Sequence, residues 1–281
     1  MLVIPGSSSA TLSQRIAQVL NSKLVKPEIK RFPDRECYIR ILENLDNEEV
    51  LLVQNTYPDE SILELILLQD AISEFKIRKL ITLIPYFGYG RQDKKFKEGE
   101  AISARALAKR LELDTDEVIT IDIHKKDVLR YFNIPAANIS AMPQIGEYLK
   151  KLGIELVIAP DRGALELART VSKVIGCEYD YLEKIRTGEK VELKPKNLNV
   201  KGKRVALVDD IISTGATVAT ASHYLKSQGT EKVYNACTHG LFIGNALEKL
   251  EKVCDGVFST DTIESKFSVI SVAEEVKKLL A

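Results

Sequence analysis

The sequence predicts an α/β protein with mainly parallel sheets in two tandem domains of similar build, and three observations carry that expectation. Short apolar runs recur just before turn residues, and amphipathic stretches at helical spacing lie between them. The alternation then repeats in the second half of the chain. With 281 residues, the chain also exceeds the usual size of a single domain, so two cores of ~100 to 150 residues each are expected.

In chain order, the runs Leu2 to Ile4, Val50 to Val53, Leu80 to Ile84 and Val118 to Ile123 read as buried strands of the first half, with Leu156 to Ala159, Val205 to Val208 and Val233 to Cys237 as those of the second. Helical spacing marks Ser61 to Phe75, Ala101 to Leu113, Ile145 to Leu152, Leu165 to Ile175 and Thr217 to Gln228. A joint is expected around Asn138 to Pro143, where Pro135 and Pro143 bracket a polar turn. The expected division is a first domain of 1–140 plus the C-terminal segment 266–281, and a second of 141–265. The stretch Lys184 to Lys203 has poor periodicity and reads as a long mobile loop or a strand pair; loops of that length inside α/β domains are often functional.

Composition removes several function classes. The 40 basic and 40 acidic side chains cancel, so no global field recruits nucleic acid or an anionic membrane, and any anion site must be local. No stretch approaches the ~18 apolar residues of a membrane span, and Met1 to Ala10 lacks the basic and apolar regions of an export signal. Cys37, Cys177, Cys237 and Cys254 are too far apart for a CxxC pair or a dense disulfide framework, which suits a reducing cytoplasm.

The strongest chemical signal is Val205 to Thr220, VALVDDIISTGATVAT. An apolar strand runs through two acids into a small polar turn that opens a helix. Ser213, Thr214, Gly215, Ala216 and Thr217 at a helix start offer unpaired backbone N–H groups, hydroxyls and a favourable dipole to a phosphate, and Gly215 lets the backbone come close. Asp209 and Asp210 can accept hydrogen bonds from sugar hydroxyls of the same ligand. Phosphate at one end and diol at the other describe a pentose phosphate. The plainer alternative is an Asp-capped helix after a buried strand. A nucleotide P-loop is absent, since no GxxxxGK[ST] occurs and Gly88 to Asp93 does not complete GxGxxG.

The segment Asp209 to Thr217, DDIISTGAT, resembles the phosphoribosyl diphosphate signature shared by type I phosphoribosyltransferases and ribose-phosphate diphosphokinases, with Ser213 and Ala216 where an acid and a glycine are common. Five further segments point to the diphosphokinases. Phe32 to Glu36, FPDRE, has an aromatic face followed by acids and by itself reads as a Pro-containing surface turn. It resembles the family's adenine-site segment, with Phe32, Asp34, Arg35 and Glu36 as contacts. Leu80 to Lys95 ends a strand in a Gly-rich turn with Arg91, Gln92 and Asp93, where arginine can stack on adenine or contact phosphate and glutamine can read a base edge. It resembles the family's ATP segment, with Phe96 in place of a frequent acid.

Ile121 to Lys125, IDIHK, puts His124 at the carboxyl end of a strand, where open α/β sheets bind ligands. Ile158 to Gly163, IAPDRG, places Asp161 likewise, as a helix cap or as a hard ligand for magnesium. The resemblance implies Mg2+ with ATP at His124 and Asp161. Glu183 to Arg186, EKIR, resembles the family's catalytic Lys-x-Arg loop, with Lys184 and Arg186 neutralising charge on the transferred group and Arg186 also reaching ribose 5-phosphate. As solvated loop cations these two residues have a plainer reading too.

The resemblance extends over nearly the whole chain, including Thr238 to Ala246 and Thr260 to Ile263. It implies two phosphoribosyltransferase-like domains, ATP and ribose 5-phosphate as substrates, and a homodimer or larger homo-oligomer in which the Phe32 loop serves a neighbouring subunit. The rival readings are a phosphoribosyltransferase acting on a nucleobase and a regulatory homologue that binds nucleotide without turnover.

Overall fold

The computed structural model describes residues 1–187, 190–193 and 198–280, with side chains for 1–183 and 198–280. It divides into two compact units: Met1–Ser140 with Thr262–Glu264 and the residues from Ser271 onward, and Ala141–Asp261 with Ser265–Ile270. Along the first unit run β1 (Leu2–Pro5), α1 (Ala10–Leu20), β2 (Lys23–Leu24), the hairpin β3 (Glu28–Arg31) and β4 (Cys37–Arg40), β5 (Glu49–Val53), α2 (Asp59–Ser73), β6 (Lys79–Ile84), α3 (Ser103–Leu111), β7 (Glu117–Ile121) and β8 (Ala136–Ile139).

The second unit contains α4 (Met142–Lys150), β9 (Leu156–Ala159), α5 (Leu165–Ile175), β10 (Glu178–Tyr181), β11 (Lys184–Thr187), β12 (Lys190–Leu193), β13 (Arg204–Ile212), α6 (Ala216–Ser227), β14 (Lys232–Gly240), α7 (Ala246–Glu251), β15 (Gly256–Thr260) and β16 (Ser268–Ile270). The last helix, α8 (Ala273–Leu280), returns to the first unit and packs on α1.

Each unit is built on a six-stranded sheet, in the order β2-β1-β5-β6-β7-β8 and β10-β9-β13-β14-β15-β16, and every pairing within them is parallel. Val50 to Val53 and Leu156 to Ala159 are buried along their whole length, as expected of parallel strands covered on both faces. Fully burying such a Val, Leu or Ile side chain contributes roughly 1.5–3 kcal/mol, so these short runs anchor their sheets. In both sheets the chain steps first to one side and then to the other of its opening strand. The switch points are β1|β5 and β9|β13, and open α/β sheets take their ligands in the crevice outside such a point.

Several sequence expectations shift in the structure. The strand read as Val118 to Ile123 stops at Ile121, because Asp122 turns the chain with φ of 38°. The strand read as Val205 to Val208 continues to Ile212, since Asp209 pairs with Cys237 and Ile211 with His239. Residues 266–270, read as part of the first domain, belong to the second: β16 supplies its edge strand, with Ser268 beside Ser259 and Ile270 beside Thr260. Within Lys184 to Lys203, β11 and β12 form an antiparallel pair. The β3–β4 hairpin is an element that the apolar patterning does not announce.

Candidate active site

In the second unit, the carboxyl edge of the sheet gathers Asp161, Asp209, Asp210 and the turn 213–217. The nine residues of β13 stay in register with β14 up to Ile212 and Gly240. Beyond that point Ser213, Thr214 and Gly215 turn the chain into α6. Gly215 has φ of 71°, and a Cβ there would meet Leu250 Cγ at 3.3 Å and Ala246 Cβ at 3.4 Å, so left-handed backbone and tight packing against α7 both call for glycine. No described side chain caps α6, and its first turn contains no acid. The amides of that turn therefore have no intrahelical partner and sit at the positive end of the helix dipole. Thr214 and Ala216 are exposed, Ser213 and Thr217 partly so.

The turn is braced from the side. Leu241 N and Phe242 N donate to Ile212 O at 3.0 and 3.2 Å, and Ile243 N donates to Ser213 O at 3.0 Å. Phe242 adopts φ of 43° and its ring packs edge-on against Phe267, with centroids 5.6 Å apart. Sequence reading passes over this brace, because backbone bonds from one loop to another leave no residue-type signature.

Burial pushes the Asp209 carboxyl well above the usual carboxylate range, with the charge and hydrogen bond of neighbouring Asp210 adding to it and Asp161 contributing from the end of β9. Three acids on one edge repel one another, and a cation or a hydroxyl donor there relieves the repulsion. Asp161 caps the short helical turn Arg162–Ala164, its Oδ1 accepting Gly163 N–H at 2.9 Å. A carboxylate has about four lone-pair positions, so this bond is compatible with a metal role. Among the described residues no group of three or more His, Cys, Asp or Glu side chains is placed to hold a metal ion by itself.

In the first unit, the Gly-rich turn after β6 and the segment after β7 come together. A side chain on Gly90 would stand 3.7 Å from His124 Cβ, and the Tyr131 hydroxyl donates to Asp93 O at 2.7 Å. His124 is held at the edge by its neighbour: Ile123 N donates to Asn138 Oδ1 at 2.8 Å, which also accepts from the Thr120 hydroxyl at 3.0 Å. Arg91 is exposed, while Gln92 and Asp93 are half-buried. The Gln92 amide lies 3.3 Å from Glu100 Oε2 and 3.4 Å from Ala101 O, so it ties down its own loop. Glu100 closes that loop by accepting Phe96 N–H at 2.7 Å and Lys97 N–H at 3.0 Å. Those two amides, Phe96 first, hold its carboxyl below the ordinary range.

Phe32 to Glu36 form the exposed tip of the β3–β4 hairpin. Phe32 N donates to Glu36 O at 2.9 Å, Arg35 N to Phe32 O at 2.8 Å, and Glu36 N to Asp34 Oδ1 at 3.0 Å, with Arg35 at φ of 74°. The Phe32 ring rests edge-on against Tyr38 at 5.8 Å and is 44% exposed. The start of α2 lies near both this tip and the Gly-rich turn: Arg35 lies 3.8 Å from Glu60, a solvent-exposed pair of little energetic weight, and the Tyr89 hydroxyl donates to Asp59 at 2.8 Å. The side chains of Lys184 and Arg186, on β11, lie outside the described residues.

Comparison with known proteins agrees with this architecture. The family model described as the N-terminal domain of ribose phosphate pyrophosphokinase matches residues 1–113, and that described as the phosphoribosyl transferase domain matches residues 127–278. The fold is thus of the phosphoribosyltransferase class, with an N-terminal companion domain. Proteins named ribose-phosphate pyrophosphokinase from Pyrococcus furiosus and Methanosarcina mazei are 44% and 42% identical, covering 100% and 99% of this chain and 100% and 95% of their own lengths. The chain belongs to the ribose-phosphate pyrophosphokinase family. The crystal structure of phosphoribosylpyrophosphate synthetase from Mycobacterium smegmatis shares the fold at 23% identity, with a TM-score of 0.85 over 99% of this chain and 97% of that one.

Proposed function

We propose that this chain transfers the β,γ-diphosphoryl group of Mg-ATP to the 1-hydroxyl of ribose 5-phosphate, releasing 5-phosphoribosyl 1-diphosphate and AMP. The observation that carries this reading is the passage from β13 into α6, where two acids on a strand end lead into an uncapped helix start with Gly215 in left-handed backbone. The 5-phosphate rests on the amides and hydroxyls of Ser213, Thr214, Gly215, Ala216 and Thr217, while Asp209 and Asp210 accept the ring hydroxyls. The raised proton affinity of Asp209 matches a group awaiting a hydroxyl donor or a cation.

On the first unit, Arg91, Gln92 and Asp93 hold the nucleotide, with Phe32, Asp34, Arg35 and Glu36 offered by the hairpin. The exposure of that tip supports its use by a neighbouring copy in a homodimer or larger assembly. The hard oxygens of Asp161 suit magnesium, which would supply charge neutralisation of the polyphosphate, and the family resemblance adds His124 as a contact to Mg-ATP. The sugar 1-hydroxyl attacks the β-phosphorus in line, loses its proton, and the bridging oxygen departs with AMP. Lys184 and Arg186 stabilise the charge on the transferred group. Positioning and electrostatics carry the chemistry, since no protein nucleophile is needed.

The four free cysteines suit a reducing compartment, in keeping with a cytoplasmic enzyme. No helix among the described residues is long and apolar enough to cross a membrane. Phosphorus NMR of the protein with magnesium, ATP and ribose 5-phosphate tests the reaction. AMP and phosphoribosyl diphosphate should appear in equal amounts; ADP, or no product from folded protein that binds both ligands, would overturn it.

A further inference from the structure

The segment bearing Arg91 and Gln92 is shaped by two buried side chains that lie outside the proposed substrate contacts. After β5 the chain continues through Gln54, Asn55 and Thr56, with relative exposures of 0%, 2% and 1%. Thr56 Oγ1 accepts the Gly88 N–H at 2.7 Å, and Thr56 N donates to Tyr86 O at 3.2 Å. Asn55 Oδ1 accepts the Tyr86 N–H at 2.7 Å, and its Nδ2 donates to Thr262 O at 2.8 Å. The turn is pressed onto this support so closely that a Cβ on Gly88 would stand 2.5 Å from Thr56 O. Three residues further on the chain reaches Arg91.

We infer that Thr56 and Asn55 are positioning residues for the nucleotide: they fix the Tyr86–Gly90 turn and thereby the direction in which Arg91 and Gln92 leave β6. The inference rests on the reading that these two side chains hold ATP. A turn leaving a strand end has only its own short-range bonds to define it, and the backbone donors of Tyr86 and Gly88 are buried, so each needs an acceptor. Asn55 and Thr56 supply these acceptors from the segment that follows the neighbouring strand. Misplacing a binding group by about 1 Å costs on the order of 10²-fold in rate, so a support with no substrate contact can still govern nucleotide use.

Thr56→Val removes the acceptor at nearly constant volume and leaves the Gly88 donor unsatisfied, while Thr56→Ser keeps the hydroxyl. Steady-state kinetics with each substrate varied in turn, and calorimetric titration with Mg-ATP alone, should show the Val variant with a KM and Kd for ATP raised by about 10-fold, a loss of about 1.4 kcal/mol. Its KM for ribose 5-phosphate should stay within about twofold, and the Ser variant should recover ATP affinity. A Val variant that binds ATP like the parent, or loses affinity for both substrates alike, overturns the inference. If Thr56→Val does not fold, Thr56→Ala and Asn55→Ala are judged by the same two-substrate split. A parent chain that folds but binds no ATP instead defeats the functional reading beneath it.

Discussion

The two sheets share one strand order, yet the crevice at each switch point is finished in opposite ways. At β1|β5 the protein fills its own crevice. Glu64, buried to 3% exposure, accepts Ser7 N–H and the Ser7 hydroxyl at 2.7 Å each and the Gln54 amide at 2.9 Å. Gln54 Oε1 in turn accepts the Ser8 hydroxyl at 2.6 Å, and the helix that follows β5 begins with Pro58, Asp59 and Glu60. Acids in a first helical turn satisfy the dipole and repel phosphate. At β9|β13 no described side chain caps the following helix, no acid lies in its first turn, and Asp209 is crowded by other acids. A closed crevice gives stability; an open one keeps its binding groups for a ligand and sacrifices stability to do so.

The largest expected effects come from exchanging the finish of the open crevice. Gly215→Val forces a β-branched residue into left-handed backbone against α7 and should lower kcat/KM by at least about 10²-fold. Asp209→Asn should cost activity on the same order, on the order of 10²-fold, by removing an acceptor for the sugar hydroxyls. It should also stabilise the ligand-free protein at neutral pH, because an uncharged amide replaces a carboxyl that burial and the neighbouring acids make costly to ionise; a change of about 1 kcal/mol would raise Tm by roughly 2–4 °C. Loss of activity accompanied by a lower Tm would show that Asp209 is structural, and the contrast between the crevices would fail.

The closed crevice should answer in the other direction. Glu64→Ala leaves three donors without their acceptor and should cost about 3 kcal/mol in urea unfolding. Variant protein that remains folded should keep its KM for ribose 5-phosphate, since the affected groups lie in the first unit. A cost under about 1 kcal/mol would mean that the serine turn is held by something other than this carboxylate.

The pH dependence sharpens the same contrast. The folded-state pKa of Asp209 lies above its unfolded value, so between the two the native state holds the proton and the unfolded state does not. Stability contributed by the protonated group is therefore complete below about pH 4, the unfolded carboxylate value, and declines as pH rises towards the native one. The difference in Tm between Asp209→Asn and parent should widen over that interval. A constant difference across it would contradict the burial of Asp209, and the acid crowding that adds to it, as the source of its raised proton affinity.

Much of this arrangement is legible in the sequence because strand ends carry their chemistry in contiguous residues. Asp209, Asp210 and the turn 213–217 form one uninterrupted motif, and the apolar runs that precede such turns form the cores of both sheets. The closing devices escape because they are distributed. Glu64 reads as one of several polar positions along its helix, and its partners Ser7 and Gln54 lie 57 and 10 residues away. The β3–β4 hairpin escapes for another reason: its exposed edges and short alternation give no long apolar run. The edge strand β16 is only three residues long, too short to reveal its sheet from patterning alone.

The smallest predicted effect concerns the brace on the phosphate turn. In the first unit side chains at the end of one strand, Asn55 and Thr56, hold the loop of the next; in the second the loop after β14 uses its backbone to hold the turn after β13. That loop has little slack, since a Cβ on Gly240 would fall 2.3 Å from the Phe242 ring and 2.8 Å from Ser259 Oγ. Gly240→Ala should therefore shift Leu241 to Ile243 and loosen their bonds to Ile212 and Ser213. The expected result is a rise of about 3- to 10-fold in KM for ribose 5-phosphate with KM for ATP unchanged, the reverse of the split expected for Thr56→Val. Because Phe242 is a ring at the edge of its cluster, Gly240→Ala combined with Phe242→Leu gives the new methyl room and should recover part of the loss. Equal shifts in both KM values, or no recovery in the double variant, would mean that the two strand ends are not braced independently and that the opposite finishes of the crevices are not separable features of this fold.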